Sequence, residues 1–235
     1  MLWIILATAI ILIIGAWWFL FGGMQMNEQR KMEAYLKGKY GEEFVVENYQ
    51  IEGSGIGVEG DPTAIAYPKN NPQLKFEIID SGNIRQNTHN YWDSYVAKLW
   101  EKEETDQLKS SLIEILGYLP EYTVEIHVID ASAAEKSINK DNMLSFSEGV
   151  SRYKQDINYT LRVNSNEKKS GLNKDSFVSD YVNLMKVINS KGKDPILNYS
   201  LADGSKRYGI SMSVKDYNNT PRGQLQNSFK EWTKK

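Results

Sequence analysis

The sequence predicts an α+β protein in which an N-terminal transmembrane helix is followed by small lobes of helices and antiparallel sheets, joined by a central helix. Three observations predict this fold class. The first residues form an uncharged apolar segment, short runs of alternating hydrophobicity recur after it, and one long stretch near the middle has helical periodicity. We predict a transmembrane anchor at 1–23, a first α+β lobe at 24–103 and a second at 104–235, in preference to one continuous sheet.

The predicted anchor is the segment Leu2–Phe21, which contains no charged residue. A helix of this length spans about 30 Å, which is the hydrocarbon thickness of a bilayer. Trp3 lies near one end of the segment, and Trp17 and Trp18 lie near the other, where indole rings favour the membrane interface. The segment therefore predicts a single-pass protein of the cell membrane.

The same segment is predicted to be an uncleaved signal-anchor. A cleaved signal peptide has a basic n-region and small residues at its cleavage site. Here only Met1 precedes the apolar run, and the run ends in bulky residues at Trp17–Phe21. Its small residues Ala7 and Ala9 lie inside the run instead, so the helix is expected to stay attached.

The first lobe is predicted to contain one helix and three strands before the central helix. Met32, Leu36 and Tyr40 recur at helical spacing, and Gly41 is a natural helix stop. The predicted elements are a helix at Glu28–Tyr40, strands at Phe44–Ile51, Thr63–Tyr67 and Leu74–Ile79, and the central helix at Asn90–Leu116.

The second lobe is predicted to combine alternating strands with helices. Val124, Ile126 and Val128 alternate with polar residues, which is typical of a half-buried strand. The predicted elements are a strand at Tyr122–Ile129, a short helix at Ala133–Ile138, a strand at Ile157–Val163, a helix at Lys174–Asn189, a hairpin of Ile196–Leu201 and Arg207–Val214, and a terminal helix at Pro221–Trp232.

Composition excludes several classes of function. The formal net charge of −2 argues against nucleic acid as a partner, because phosphate binding requires a basic face. The chain has no cysteine, which excludes disulfides, a thiolate nucleophile and cysteine-ligated zinc.

The glycines of Gly55–Gly60 fit G-x-G-x-x-G, but no helix is predicted after them to hold a pyrophosphate. We therefore predict no cofactor.

The two histidines, His89 and His127, are predicted to be ordinary surface residues. Neither belongs to an H-x-x-x-H or H-E-x-x-H pattern, so the sequence predicts no metal site. His127 falls on the polar face of its predicted strand, beside Glu125 and Thr123.

An acidic cluster on the central helix is predicted to be a solvated face. Its members are Glu101, Glu103, Glu104 and Asp106. Lysines lie among them at spacings that support ion pairs along a helix. Catalysis by paired carboxylates would require one of them to be desolvated, so no catalytic residue is predicted here.

Two tryptophans are candidates for a binding rim. The central helix carries several aromatic residues, of which Tyr91 and Tyr95 are expected to face the core. Trp92 and Trp100 are the candidate rim residues, because aromatic rings provide contact area at little entropic cost.

Several short phrases give a family resemblance. They are Tyr35-Leu36-Lys37, Lys39-Tyr40-Gly41-Glu42 with Phe44, and Tyr67-Pro68-Lys69-Asn70-Asn71-Pro72 with Phe76. In these the chain resembles small uncharacterised membrane-anchored proteins of Gram-positive, Bacillus-type bacteria, over roughly residues 1–100. The resemblance implies an extracytoplasmic domain and provides no catalytic residues. The basic residues that follow the anchor favour a cytoplasmic domain instead, by the positive-inside rule. Of the two, the resemblance decides our expectation of an extracytoplasmic domain.

The leading functional hypothesis is a non-enzymatic binding or interaction module on a membrane anchor. Its predicted partners are the lipid bilayer and a protein or peptide, and no nucleic acid. Two alternatives stay open: a membrane-tethered hydrolase that uses paired carboxylates, and an accessory subunit of a membrane assembly whose anchor helix makes contacts.

Protease treatment of intact cells tests the predicted orientation. Because the domain is expected outside the cytoplasm, added protease should degrade it without lysis. Immunoblotting before and after permeabilisation measures this. Degradation only after permeabilisation would place the domain in the cytoplasm.

Overall fold

The computed structural model describes most of the chain beyond the predicted anchor. The described residues are 25–52, 60–82, 88–129, 132–165, 174–203, 206–225, 228 and 230–233. The predicted anchor at 1–23 and most of the Gly55–Gly60 loop lie outside them. Within these ranges, no helix combines the length and apolar character that crossing a bilayer requires.

The chain divides into two compact units, Met1–Tyr95 and Val96–Lys235, here unit 1 and unit 2. The lobe boundary predicted at 103/104 lies within the helix Tyr95–Leu116, which begins at the last residue of unit 1.

Unit 1 is a helix on a four-stranded antiparallel sheet. Its elements are α1 at 25–40, β1 (Phe44–Glu52), β2 (Asp61–Pro68), β3 (Phe76–Asp80) and β4 (Tyr91–Asp93). The strands follow each other in the order β1-β2-β3-β4, and each is antiparallel to its neighbour. Every connection therefore joins adjacent strands.

Helix α1 covers one face of this sheet through a single apolar stripe. Met32, Leu36 and Tyr40 lie four residues apart on the helix and are all buried. Alternate residues of the strands are buried too, so that the Tyr40 ring lies 6.1 Å from that of Phe44. Gly41 ends the helix at φ 77°, a backbone conformation that glycine adopts without strain.

The edge strand β1 is interrupted by an irregularity. The pairing with β2 shifts between Glu47 and Gln50, and Asn48 between them has φ 55°. Two residues earlier, the backbone N–H of Val46 donates to the Glu33 carboxylate at 3.1 Å. One backbone group of the edge is thus bound by a side chain of α1.

The first residues of the predicted central helix form a strand instead. Tyr91–Asp93 pairs with β3, and helix α2 (Tyr95–Leu116) begins only after it. The Asp93 carboxylate accepts the N–H of Tyr95 at 3.2 Å, which satisfies one donor at the start of the helix. Strand pairing therefore overrides the helical spacing of Tyr91 and Tyr95.

Unit 2 is a five-stranded mixed sheet with helices. After α2 its elements are β5 (Glu121–Val128), α3 (Ala133–Ser137), α4 (Phe146–Tyr153), a 3₁₀ turn (Lys154–Asp156), β6 (Ile157–Ser165), α5 (Lys174–Ile188), β7 (Ile196–Asp203), β8 (Lys206–Ser213), α6 (Val214–Asn219), α7 (Arg222–Leu225) and β9 (Lys230–Thr233). The strand order is β5-β6-β7-β8-β9.

One pair of strands differs from the predicted antiparallel arrangement. β6 and β7 are parallel, while the other three pairs are antiparallel. A parallel pair needs a crossover connection, and α5 lies between the two strands in the chain. The connection through α5 thus allows β6 and β7 to be parallel, and the sheet is mixed for this reason.

Two further elements differ from the sequence prediction. The predicted terminal helix Pro221–Trp232 is replaced by the short α7 and by β9, because β9 extends the sheet by pairing with β8. Helix α4 was not predicted, because it lies in a segment that is mostly polar. The sequence feature that marks its start is a capping box, in which Ser145 and Glu148 bind each other's backbone N–H groups.

Trp100 is a core residue of unit 2 and is not exposed at a binding rim. Only 1% of its surface is exposed, and its Nε1–H donates to the Leu144 carbonyl at 2.9 Å. Its ring lies 5.9 Å from that of Phe146. A Cβ added to Gly149 of α4 would lie 2.5 Å from its Cη2 atom. The ring therefore requires a glycine on the facing helix.

Replacing Gly149 with alanine tests this packing. Because the Trp100 ring is buried and bound to the Leu144 carbonyl, an added Cβ would force it to shift, and we expect Gly149→Ala to destabilise unit 2 by about 1–3 kcal/mol. The matched control is Gly38→Ala on α1, where an added Cβ meets nothing within 4 Å. It should stabilise unit 1 by about 0.5–1 kcal/mol through helix propensity. Urea unfolding of the full chain, followed by amide hydrogen exchange, measures both. Equal stability of the Gly149 variant and the wild type would contradict the packing argument.

Candidate functional site

The sheet of unit 2 has one apolar and one polar face. On the apolar face lie alternate residues of β6 and β7, namely Ile157, Tyr159, Leu161, Val163, Leu197, Tyr199 and Leu201, all buried. Helix α5 contributes to this core, since the ring of Phe177 stacks on that of Tyr199 at 4.5 Å. This packing turns the intervening residues to the other face.

The other face is polar and open on four strands. Its exposed or half-buried residues are Thr123, Glu125 and His127 on β5, Asn158, Arg162 and Asn164 on β6, Asn198 and Ser200 on β7, and Ser211 on β8. His127 lies where the alternation of β5 predicts, beside Glu125 on this face.

Strand register arranges these side chains in two rows. Thr123, Arg162, Asn198 and Ser211 are successive partners across β5 to β8. In the next row Asn164 pairs with Ser200, Ser200 with Gly209, and Gly209 with Lys230 of β9.

A depression of about 310 Å³ lies over these two rows. Arg162, Asn198, Asn164, Ser200 and Lys230 are among its lining residues. The depression forms because Gly209, which lies between Ser200 and Lys230 in the sheet, contributes no side chain. The depression is thus lined by amides, hydroxyls and two basic side chains.

Arg162 is held in place by a bidentate ion pair. Its Nε and Nη2 groups donate to the two carboxylate oxygens of Glu125, both at 2.9 Å. The hydrogen bonds from Arg162 lower the pKa of Glu125. Beside the pair, the Ser200 hydroxyl donates to Asn164 Oδ1 at 2.7 Å. These contacts orient the lining side chains.

The acidic cluster of α2 differs from the predicted solvated face. Glu101 accepts the N–H of Ile126 on edge strand β5 at 3.0 Å, and Glu103 accepts the N–H of Phe146 at 2.9 Å. Glu104 is buried, Glu101 and Glu103 are half-buried, and of the four only Asp106 is exposed. These glutamates bind backbone or buried groups, which helical spacing alone does not reveal.

Glu104 forms a buried network in unit 2. Its side chain is 0% exposed, with Lys191 Nζ at 3.0 Å and the Tyr159 hydroxyl, which donates, at 3.2 Å. Burial raises the pKa of Glu104, and the hydrogen bonds from Lys191 and Tyr159 oppose that shift. Because folding raises this pKa, the contribution of Glu104 to stability decreases as the pH rises through the raised value.

A second polar cluster lies in unit 1 around His89. The buried Asp80 accepts the backbone N–H groups of Gly82 and Asn90, each at 2.9 Å. His89 Nδ1 lies 2.6 Å from the other oxygen of Asp80, and its Nε2 lies 3.2 Å from Lys31 Nζ. The imidazole of His89 is therefore held between the Asp80 carboxylate and the Lys31 ammonium. Its neighbours in the sequence do not indicate this arrangement.

The two candidate rim tryptophans lie in different units. Trp92 is half-buried on β4, where it pairs with Ile79. Trp100 lies in the core of unit 2. Tyr95 is buried as predicted, with its ring 5.2 Å from that of Phe44.

Comparisons with known proteins place the chain in no family. No family model and no curated protein match it. Among solved structures, a DUF5037 family protein from Ruminococcus gnavus is similar at 20% identity and a TM-score of 0.44. The similarity covers 74% of this chain and 75% of that one.

Breaking the Glu104 network should cost far more stability than breaking the exposed pair on the sheet. We expect Glu104→Leu to destabilise unit 2 by about 3–5 kcal/mol, because Lys191 loses its buried partner. Adding Lys191→Met should recover at least half of that loss, since the remaining charge is then removed.

The matched control is Glu125→Leu, which breaks the exposed pair with Arg162 and should cost about 1 kcal/mol or less. Urea unfolding of the full-length variants measures all of these free energies. Similar losses for Glu104→Leu and Glu125→Leu would show that the buried network is not stabilising.

Proposed function

We propose that this chain is a single-pass membrane-anchored protein whose unit 2 is a non-enzymatic module that binds an extended, acidic peptide segment of a partner protein. The depression on the polar sheet face carries the proposal. Leu2–Phe21 provides the tether in this proposal, and the resemblance to membrane-anchored Gram-positive proteins supports an extracytoplasmic position.

The chemistry of the depression fits a peptide backbone. Asn164, Asn198 and Ser200 each offer both donors and acceptors, as the N–H and C=O groups of an extended chain require. Their rows follow neighbouring strands about 4.8 Å apart, so one extended segment can contact several of them.

Two basic side chains indicate the charge of the segment. Arg162 and Lys230 both line the depression, and Arg162 is already oriented by Glu125. An oriented guanidinium loses less entropy when it binds a carboxylate. An acidic segment is therefore preferred over a neutral or basic one.

The carboxylates of unit 2 support binding over hydrolysis. A carboxylate pair in a hydrolase needs one member with a raised pKa that can reach a substrate. On the polar face Glu125 has a lowered pKa. Glu104 has a raised pKa, but its side chain is fully buried against Lys191 and Tyr159.

A peptide array tests the proposal. The full-length chain in detergent is applied to unstructured peptides of graded net charge. We expect acidic peptides to bind best, and binding to weaken as salt is added, because the basic side chains become screened.

Ser200→Trp, which fills the depression, should weaken binding at least about tenfold, equivalent to about 1.4 kcal/mol. The matched control is Asn158→Trp, which adds the same ring to the same face of β6, where Asn158 pairs with His127 and neither residue lines the depression. Wild-type affinity in the Ser200 variant, or no binding by the wild type, would overturn the proposal.

A further inference from the structure

We propose that the cluster around His89 in unit 1 is a site for a divalent transition-metal ion such as Zn²⁺, and that the Lys31 ammonium is the cation this ion displaces. One ligand atom each of Glu28, Asp80 and His89 lies within 4.8 Å of the others. Imidazole and carboxylate are both ligands that Zn²⁺ uses in proteins. The inference does not depend on the peptide-binding proposal for unit 2.

The hydrogen bonds fix the tautomer of His89. A lysine ammonium can only donate, so His89 Nε2, 3.2 Å from Lys31 Nζ, must accept. The ring proton is then on Nδ1, which donates to Asp80 at 2.6 Å. A neutral imidazole held in this way by a carboxylate presents its Nε2 lone pair as metal-ligating histidines do.

Asp80 is well placed to hold the ring. Its side chain is only 1% exposed, and the N–H groups of Gly82 and Asn90 fix one of its oxygens. The other oxygen faces His89 Nδ1. Asp80 therefore acts as a positioning residue for the imidazole.

Lys31 marks the position of the ion. Its ammonium lies between Glu28 Oε1 at 2.8 Å and His89 Nε2 at 3.2 Å. A cation is thus already held between a carboxylate oxygen and an imidazole nitrogen. The side chain of Lys31 is 31% exposed on a flexible stem, so it can move to solvent when an ion with a higher charge binds.

Tyr91 provides an independent indication of a ligand. Its ring stacks on the His89 ring at 5.4 Å with an interplanar angle of 1°. Its buried hydroxyl has no hydrogen-bond partner among the described residues. The hydroxyl therefore belongs to a ring that lies directly against the proposed ligand His89. A water bound to the ion would supply the missing partner.

The charges of the cluster also favour a dication. Glu28 and Asp80 provide two negative charges, and among the described residues Lys31 provides one positive charge beside them. Replacement of the ammonium by Zn²⁺ balances both. Glu28 and His89 are the direct ligands in this arrangement, and water completes the coordination.

Calorimetric titration with ZnCl₂ tests the site. The full-length chain is purified without a histidine tag and stripped with chelator. We expect one Zn²⁺ per chain, abolished by His89→Gln and weakened about 10- to 100-fold by Asp80→Asn, as for other residues that orient a ligand. Circular dichroism checks that the variants are folded.

The matched control is His127→Gln, which removes the other of the two histidines and should leave binding unchanged. Lys31→Met distinguishes a metal site from a cluster that only stabilises the fold. Removing the competing ammonium should keep or raise the affinity for Zn²⁺. No binding by the wild type, equal binding by the His89 variant, or a tenfold loss in Lys31→Met would overturn the proposal.

Discussion

A carboxylate removed from water must be surrounded by hydrogen-bond donors, and unit 1 is organised by this requirement at Asp93, whose side chain is 0% exposed. From α1, Lys39 donates at 3.0 Å and the Tyr40 and Tyr35 hydroxyls at 2.7 and 3.1 Å. The N–H of Tyr95 completes the set. Apolar burial has no direction, so these bonds determine which turn of α1 lies over β4.

Unit 2 meets the same requirement through the first half of α2. Glu104 is enclosed by Tyr159 of β6 and by Lys191 after α5, so distant parts of the chain share one charge network. Its neighbours Glu101 and Glu103 bind the backbone of β5 and of α4. Three acidic residues in one helical turn therefore connect the helix to β5, β6, α4 and the residues after α5.

The sequence predicts the longer elements because their periodicity is local. The strand Tyr91–Asp93 and the strand Lys230–Thr233 could not be predicted, because each is short and is stabilised by pairing with a partner strand. The polar face is visible on β5 from Thr123 and its alternating neighbours, but the depression depends on the register that brings Gly209 beside Ser200. The contact between His89 and Lys31 joins residues 58 positions apart, which no local pattern indicates.

The glutamates at the sheet edges have a consequence for solubility. Unpaired N–H and C=O groups on an edge strand can recruit a strand from another molecule, which is the first step of aggregation. In unit 1 the Val46 N–H is bound by Glu33, and the irregular backbone at Asn48 follows it. In unit 2 Glu101 binds the Ile126 N–H of β5. Each helix thus protects the first strand of its sheet against pairing with a strand of another molecule.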